Sequence, residues 1–70
     1  MNLTAATEGK EYIIHKIATE DAQMDAFLFS LGCYSGEPIT VVSRRKNSFT
    51  VSVKDARYSI DSQLAAAILI

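Results

Sequence analysis

Between Pro38 and Ile60 the chain alternates. Phe49, Val51 and Val53 take turns with Thr50, Ser52 and Lys54, and Tyr58 and Ile60 take turns with Arg57 and Ser59. A two-residue period places one set on one side of a pleated strand, so one face is built for burial and the other for water. Breaks at Lys46-Asn47-Ser48 and Asp55-Ala56 cut the block into three strands, PITVVSRR, SFTVSV and RYSI, joined by short turns. A meander has edges, and unpaired edge N–H and C=O groups recruit other strands. In a chain of 70 residues the other segments have to cover those edges. Several short strands at close spacing favour a closed or nearly closed barrel.

The flanking segments supply the covers. After the polar turn Thr7-Glu8-Gly9, EYIIHKI (Glu11 to Ile17) is rich in strand formers. Its alternation is imperfect: Tyr12 and Ile14 share one face, Ile13, His15 and Ile17 the other. Such a strand is either buried on both faces or bends partway. A helix is predicted to start at Thr19-Glu20-Asp21, with Thr19 or Asp21 as its cap. Met24, Leu28 and Leu31 follow at the spacing of a buried helical stripe, with Ala26, Phe27 and Phe29 around it. Gly32 stands where a helix ends in a left-handed residue. Beyond the meander, Asp61 or Ser62 caps a helical turn over Gln63, Leu64 and Ala65, and AILI forms a last short strand. The expected order is strand, helix, three-strand meander, helical turn, strand, in a mostly β domain over residues 1–70.

Size and charge narrow the function. A chain this short buries only roughly 60% of its unfolded surface, which favours a binding module over a self-sufficient enzyme. Its net charge of −1 gives no general field for nucleic acid. One cysteine excludes an internal disulfide and points to a reducing, cytoplasmic setting. The longest apolar run, Ala65 to Ile70, falls far short of the roughly 20 residues of a membrane span. Contact with a membrane is expected only through another protein.

Gly32 and Gly36 do not form a phosphate loop, because Glu37 and Pro38 follow where lysine and Ser/Thr are needed, and the order runs helix to strand. Cys33, at a helix C-terminus without a neighbouring cation, reads as a small buried hydrophobe and not as a nucleophile. His15 and Cys33 share no metal-ligand spacing, so no metal or cofactor is expected. Glu20, Asp21 and Asp25 read as a solvated first turn favoured by the helix dipole. Arg44-Arg45-Lys46 is the one basic run, with Lys54 and Arg57 expected nearby across the meander. It reads as a solvated hairpin tip or as a contact patch for an acidic partner. Phe27 and Phe29 flank the helical stripe, and each either packs into the core or stays exposed as a partner anchor. The candidate partner-binding residues are therefore Met24, Phe27, Phe29, Tyr34, Arg44 and Arg45.

Taken together, Leu3, Gly9, Ile14, Ile17, Leu28-Phe29-Ser30-Leu31-Gly32, Gly36, Ile39-Thr40-Val41-Val42, Val51-Ser52-Val53, Ile60, Ala65 and Ile68-Leu69-Ile70 resemble the FeoA family of bacterial ferrous iron uptake. The helix-end leucine-glycine followed by a second glycine is the most specific part. The resemblance implies a small SH3-like β-barrel of about five strands with one inserted α-helix and a short helical turn before the last strand. It implies a cytoplasmic, non-catalytic accessory that contacts the GTP-binding region of a FeoB-type ferrous iron permease. The same barrel occurs at the C-terminus of iron-dependent repressors, so the alternative it implies is a metal-sensing or regulatory domain using His15, Cys33 or the acidic turn. Phe27 stands where the family usually has a basic residue, and Ser35 where it often has proline.

Overall fold

The computed structural model describes residues 1–70. A 3₁₀ turn at Leu3–Ala5 leads into strands β1 (Glu11–Ile13) and β2 (Lys16–Ile17). Helix α1 (Ala22–Leu31) follows, then β3 (Pro38–Arg45), β4 (Ser48–Val53), β5 (Ala56–Asp61), helix α2 (Ser62–Ala67) and β6 (Ile68–Leu69). The strands β1-β3-β4-β5 form one antiparallel sheet, and β2 pairs with β6 in a second.

The segment EYIIHKI bends, as its mixed faces allowed, and the bend is a change of partner. Ile14 donates to the Glu37 carbonyl (2.9 Å) and accepts from the Gly36 N–H (2.8 Å), extending the pairing with β3. The next residue, His15, donates to the Leu69 carbonyl (2.7 Å) and opens the pairing with β6. One run of chain thus serves both sheets, with Ile14 buried at the junction.

The β3–β4 hairpin has the expected strands. Val42 is an extra residue in β3, because Val41 pairs with Val51 and Ser43 with Thr50. This bulge puts Arg44 opposite Phe49, and directly opposed residues share a face. The β4–β5 turn lies one residue earlier than expected: Lys54 and Asp55, not Asp55 and Ala56, are its central residues. Both have positive φ (49° and 64°), the geometry of a tight two-residue hairpin turn, usually built with glycine or asparagine.

The core draws on nearly every element. Leu3, Ile14, Leu28, Ile39, Val41, Val51 and Ile68 are among its fully buried side chains. The 3₁₀ turn at Leu3, without periodicity in the sequence, seats Leu3 in the core, and Asn2 caps it by accepting from the Thr4 N–H (2.9 Å). Asp61 caps α2 by accepting from the Leu64 N–H (2.8 Å). That helix runs through Ala67, longer than the single turn expected, and shortens the last strand to Ile68–Leu69. Helix α1, although ten residues long, has Leu28 as its only fully buried residue.

Candidate functional site

Helix α1 is held by its ends. Asp21 accepts from the Gln23 (2.9 Å) and Met24 (3.2 Å) N–H groups, and the Thr19 hydroxyl accepts from the Asp21 N–H (3.1 Å). Asp21 is therefore the cap, with Thr19 bracing it. At the far end Gly32 is left-handed (φ 95°). Its N–H donates to the Phe29 carbonyl (3.0 Å) and that of Cys33 to the Leu28 carbonyl (2.9 Å). This paired closure brings the residue after the stop against the last buried helical residue, and both Leu28 and Cys33 are fully buried. Burial pushes the Cys33 thiol up to about 11, so the residue packs as the small hydrophobe expected.

With only Leu28 buried, the two phenylalanines are left outside: Phe27 is 46% and Phe29 64% exposed. Neighbours on a helix are about 100° apart, so these residues sit on opposite flanks of Leu28, roughly 160° from each other around the outer surface. Phe27 shares its flank with Met24 and Leu31, both half-buried. Phe29 follows Asp25 by one turn and meets Tyr34, with ring centroids 5.0 Å apart and planes inclined by 34°. The residues expected to form one contact, Met24, Phe27, Phe29 and Tyr34, thus fall into two patches.

The second patch opens into a shallow depression of about 410 Å³ between the helix end (Phe29 to Gly32), Tyr34, Lys54 and Tyr58. Lys54 bridges it. Its stem lies against Gly32, where an added Cβ would come within 2.7 Å of the lysine Cδ. The ammonium pairs with the Glu37 carboxylate and sits 5.2 Å from the Tyr34 ring centre. Hydrogen bonding to Glu37 first, and to Tyr34 second, pushes Lys54 up to about 12, and the same lysine holds Glu37 below the usual carboxylate range. Lys54 is expected from the sequence only beside the basic run, and nothing in the sequence singles out Glu37 or Tyr58 as members of this site. The one available signal was the glycine-free two-residue turn between alternating strands.

The basic run lies elsewhere. Arg44 and Arg45 pair with Phe49 and Ser48 at the start of β4, and Lys54 follows its last residue, roughly 17–20 Å away at about 3.3 Å per residue. Lys54 therefore does not join the Arg44-Arg45-Lys46 run as expected. Arg44 turns back onto the chain. Its guanidinium donates to the Thr4 (3.1 Å) and Ala6 carbonyls, its backbone N–H donates to Glu8 (2.7 Å), and its charge lies 5.4 Å from the Phe49 ring centre. Arg45 and Lys46 are exposed. His15 is exposed and Cys33 buried, and no three His, Cys, Asp or Glu side chains converge on one point.

The model of the FeoA domain family matches residues 1–70. A solved manganese-dependent transcriptional repressor is similar with a TM-score of 0.88 at 26% identity, over 97% of this chain and 39% of the repressor. The chain thus spans about two fifths of that relative's length. A solved iron uptake regulatory protein (FeoA) is similar with a TM-score of 0.87 at 23% identity, over 97% of this chain and 91% of its own. The zinc complex of Stenotrophomonas maltophilia FeoA, a prokaryotic SH3 domain protein, has a TM-score of 0.87 at 18% identity, over 99% of this chain and 87% of its own. No curated protein matches significantly. The mostly β architecture with one inserted helix is the SH3-like barrel expected.

Proposed function

The chain belongs to the FeoA domain family, and on that premise we propose that it is an accessory protein of bacterial ferrous iron transport. It acts as a single domain over residues 1–70, docking on the cytoplasmic GTP-binding region of a FeoB-type permease. The observation that carries the reading is Phe27, large, apolar and 46% exposed, beside the half-buried Met24 and Leu31 that pack on the core, on a helix whose only fully buried residue is Leu28. An exposed aromatic with half-buried apolar neighbours is the usual make-up of an interface anchor. Stenotrophomonas maltophilia FeoA, proposed as a bacterial ferrous iron transport activating factor, supports the same direction. The reading asks for binding and not for catalysis. No helix is long and apolar enough to cross a membrane; in this reading the permease supplies the contact with the bilayer.

Calorimetry with the permease's cytoplasmic domain tests this. Phe27→Ala should keep the fold and lower the affinity about tenfold or more, the loss typical of an interface anchor. Unchanged affinity would sink the assignment. A second reading, a regulatory metal-sensing domain, has the repressor likeness at 26% identity in its favour. Anaerobic ferrous iron titration separates the two, because sensing requires His15 or Cys33 resonances to move and docking does not.

A further inference from the structure

The depression at the end of α1 is built on the Phe29 side of the helix; Phe27 does not line it, and Leu31 is the one residue it shares with the docking face proposed above. Its walls are Phe29, Tyr34 and Tyr58, and the electron-rich faces of such rings attract cations. The helix presents its negative end there. The carbonyls of Leu28 and Phe29 are taken by the helix stop, while those of Ser30 and Leu31 receive no hydrogen bond from within the chain. One carboxylate borders the site: Glu37, paired with Lys54 beside Tyr34. Aromatic faces, helix end and the Glu37 carboxylate all favour positive charge.

The protein already keeps one positive charge in this place. Lys54 lies across Gly32 with its ammonium over Tyr34 and against Glu37. Its hold is weak in kind, since the lysine side chain is 46% exposed and exposed ion pairs contribute little. It also hangs from a turn residue with positive φ (49°) and lies outside the buried hydrophobic cluster, its stem resting on Gly32. We infer that the depression receives an arginine side chain of a partner protein, with Lys54 as the resident cation that the guanidinium replaces. Arginine suits the site better than a second lysine. Its planar head stacks on aromatic rings, pairs with a carboxylate through two parallel hydrogen bonds and is less strongly hydrated. An acidic side chain would face Glu37 and the helix end.

Titration of the full chain with N-acetyl-arginine amide, followed by NMR, tests the inference. Saturable shifts are expected at Phe29, Gly32 and Tyr34. In Lys54→Met, with the resident cation gone, the apparent affinity should rise about two- to fivefold, as expected for removing one exposed cation–ring competitor. Glu37→Gln in that background should weaken binding without touching the core, and N-acetyl-glutamate should leave these resonances unmoved. If the arginine probe moves none of them in Lys54→Met, or the glutamate probe moves them equally, the inference is overturned. Phe27→Ala should leave the titration unchanged, so failure here and failure of the permease reading are separately visible.

Discussion

Strand β4 has a cation at each end, and each lies over an aromatic ring. Arg44 is 5.4 Å from the centre of Phe49, and Lys54 is 5.2 Å from that of Tyr34. The distances are alike and the settings are not. Arg44 reaches two backbone carbonyls of the amino-terminal segment and covers a buried phenylalanine, so it fastens one part of the fold to another. Lys54 reaches a carboxylate and a half-buried tyrosine from a turn with positive φ. A planar donor with several acceptors is a structural tie, whereas a flexible ammonium on an exposed pair is exchangeable.

Stability measurements put this contrast at risk. Arg44→Ala should lose about 1–3 kcal/mol, the range for charge-assisted hydrogen bonds to backbone, and hydrogen exchange should quicken at Ala5 and Ala6. Lys54→Met should stay within roughly 0.5 kcal/mol of the parent. Equal losses in urea melts would erase the distinction. Gly32→Ala comes next, costing about 1–2 kcal/mol for a left-handed alanine. It should also push Lys54 off Tyr34, since the new methyl would overlap its Cδ, and a changed Tyr34 ring shift would report that.

The smallest effect is a pH window. Glu37 has a lowered folded pKa, so its contribution is present above the ordinary carboxylate value and is lost as pH falls through the folded one. Lys54 is raised, so its contribution is complete below the ordinary 10.5 and is lost as pH rises through about 12. Carboxyl ¹³C titration should find Glu37 back in the ordinary range in Lys54→Met. No change there would mean that something other than the lysine lowers it.

Where the chain speaks locally, the sequence could be read. Phe49, Val51 and Val53 report their burial by alternation, and Asp21, Gly32 and Asp61 act at the helix ends where their chemistry places them. Effects that depend on distant partners stayed hidden. Leu3 has no periodic neighbours and is explained only by the core it enters. The switch at Ile14 and His15 is decided by Glu37 and Leu69. The β4–β5 turn was misplaced by one residue because lysine and aspartate adopt positive φ without a glycine to mark it. In the site, the exposure of Phe27 and Phe29 follows from a helix that packs its Met24, Leu28 and Leu31 stripe on the core, a choice of face that the sequence pattern leaves open for the two phenylalanines. The Lys54, Glu37 and Tyr34 contact joins two segments that no local pattern connects.

The Ile70 N–H donates to the Met1 carbonyl at 2.9 Å, and Asn2 bridges to Leu69. The two ends of this chain are neighbours, and the fold is topologically almost a ring. Where a ring is cut matters less than whether its contacts survive the cut. A short linker from Ile70 to Met1, with new ends at the exposed Lys46-Asn47 tip, would leave the depression and the Phe27 flank untouched. The same adjacency lets the module sit within a longer polypeptide with its entrance and exit at one point.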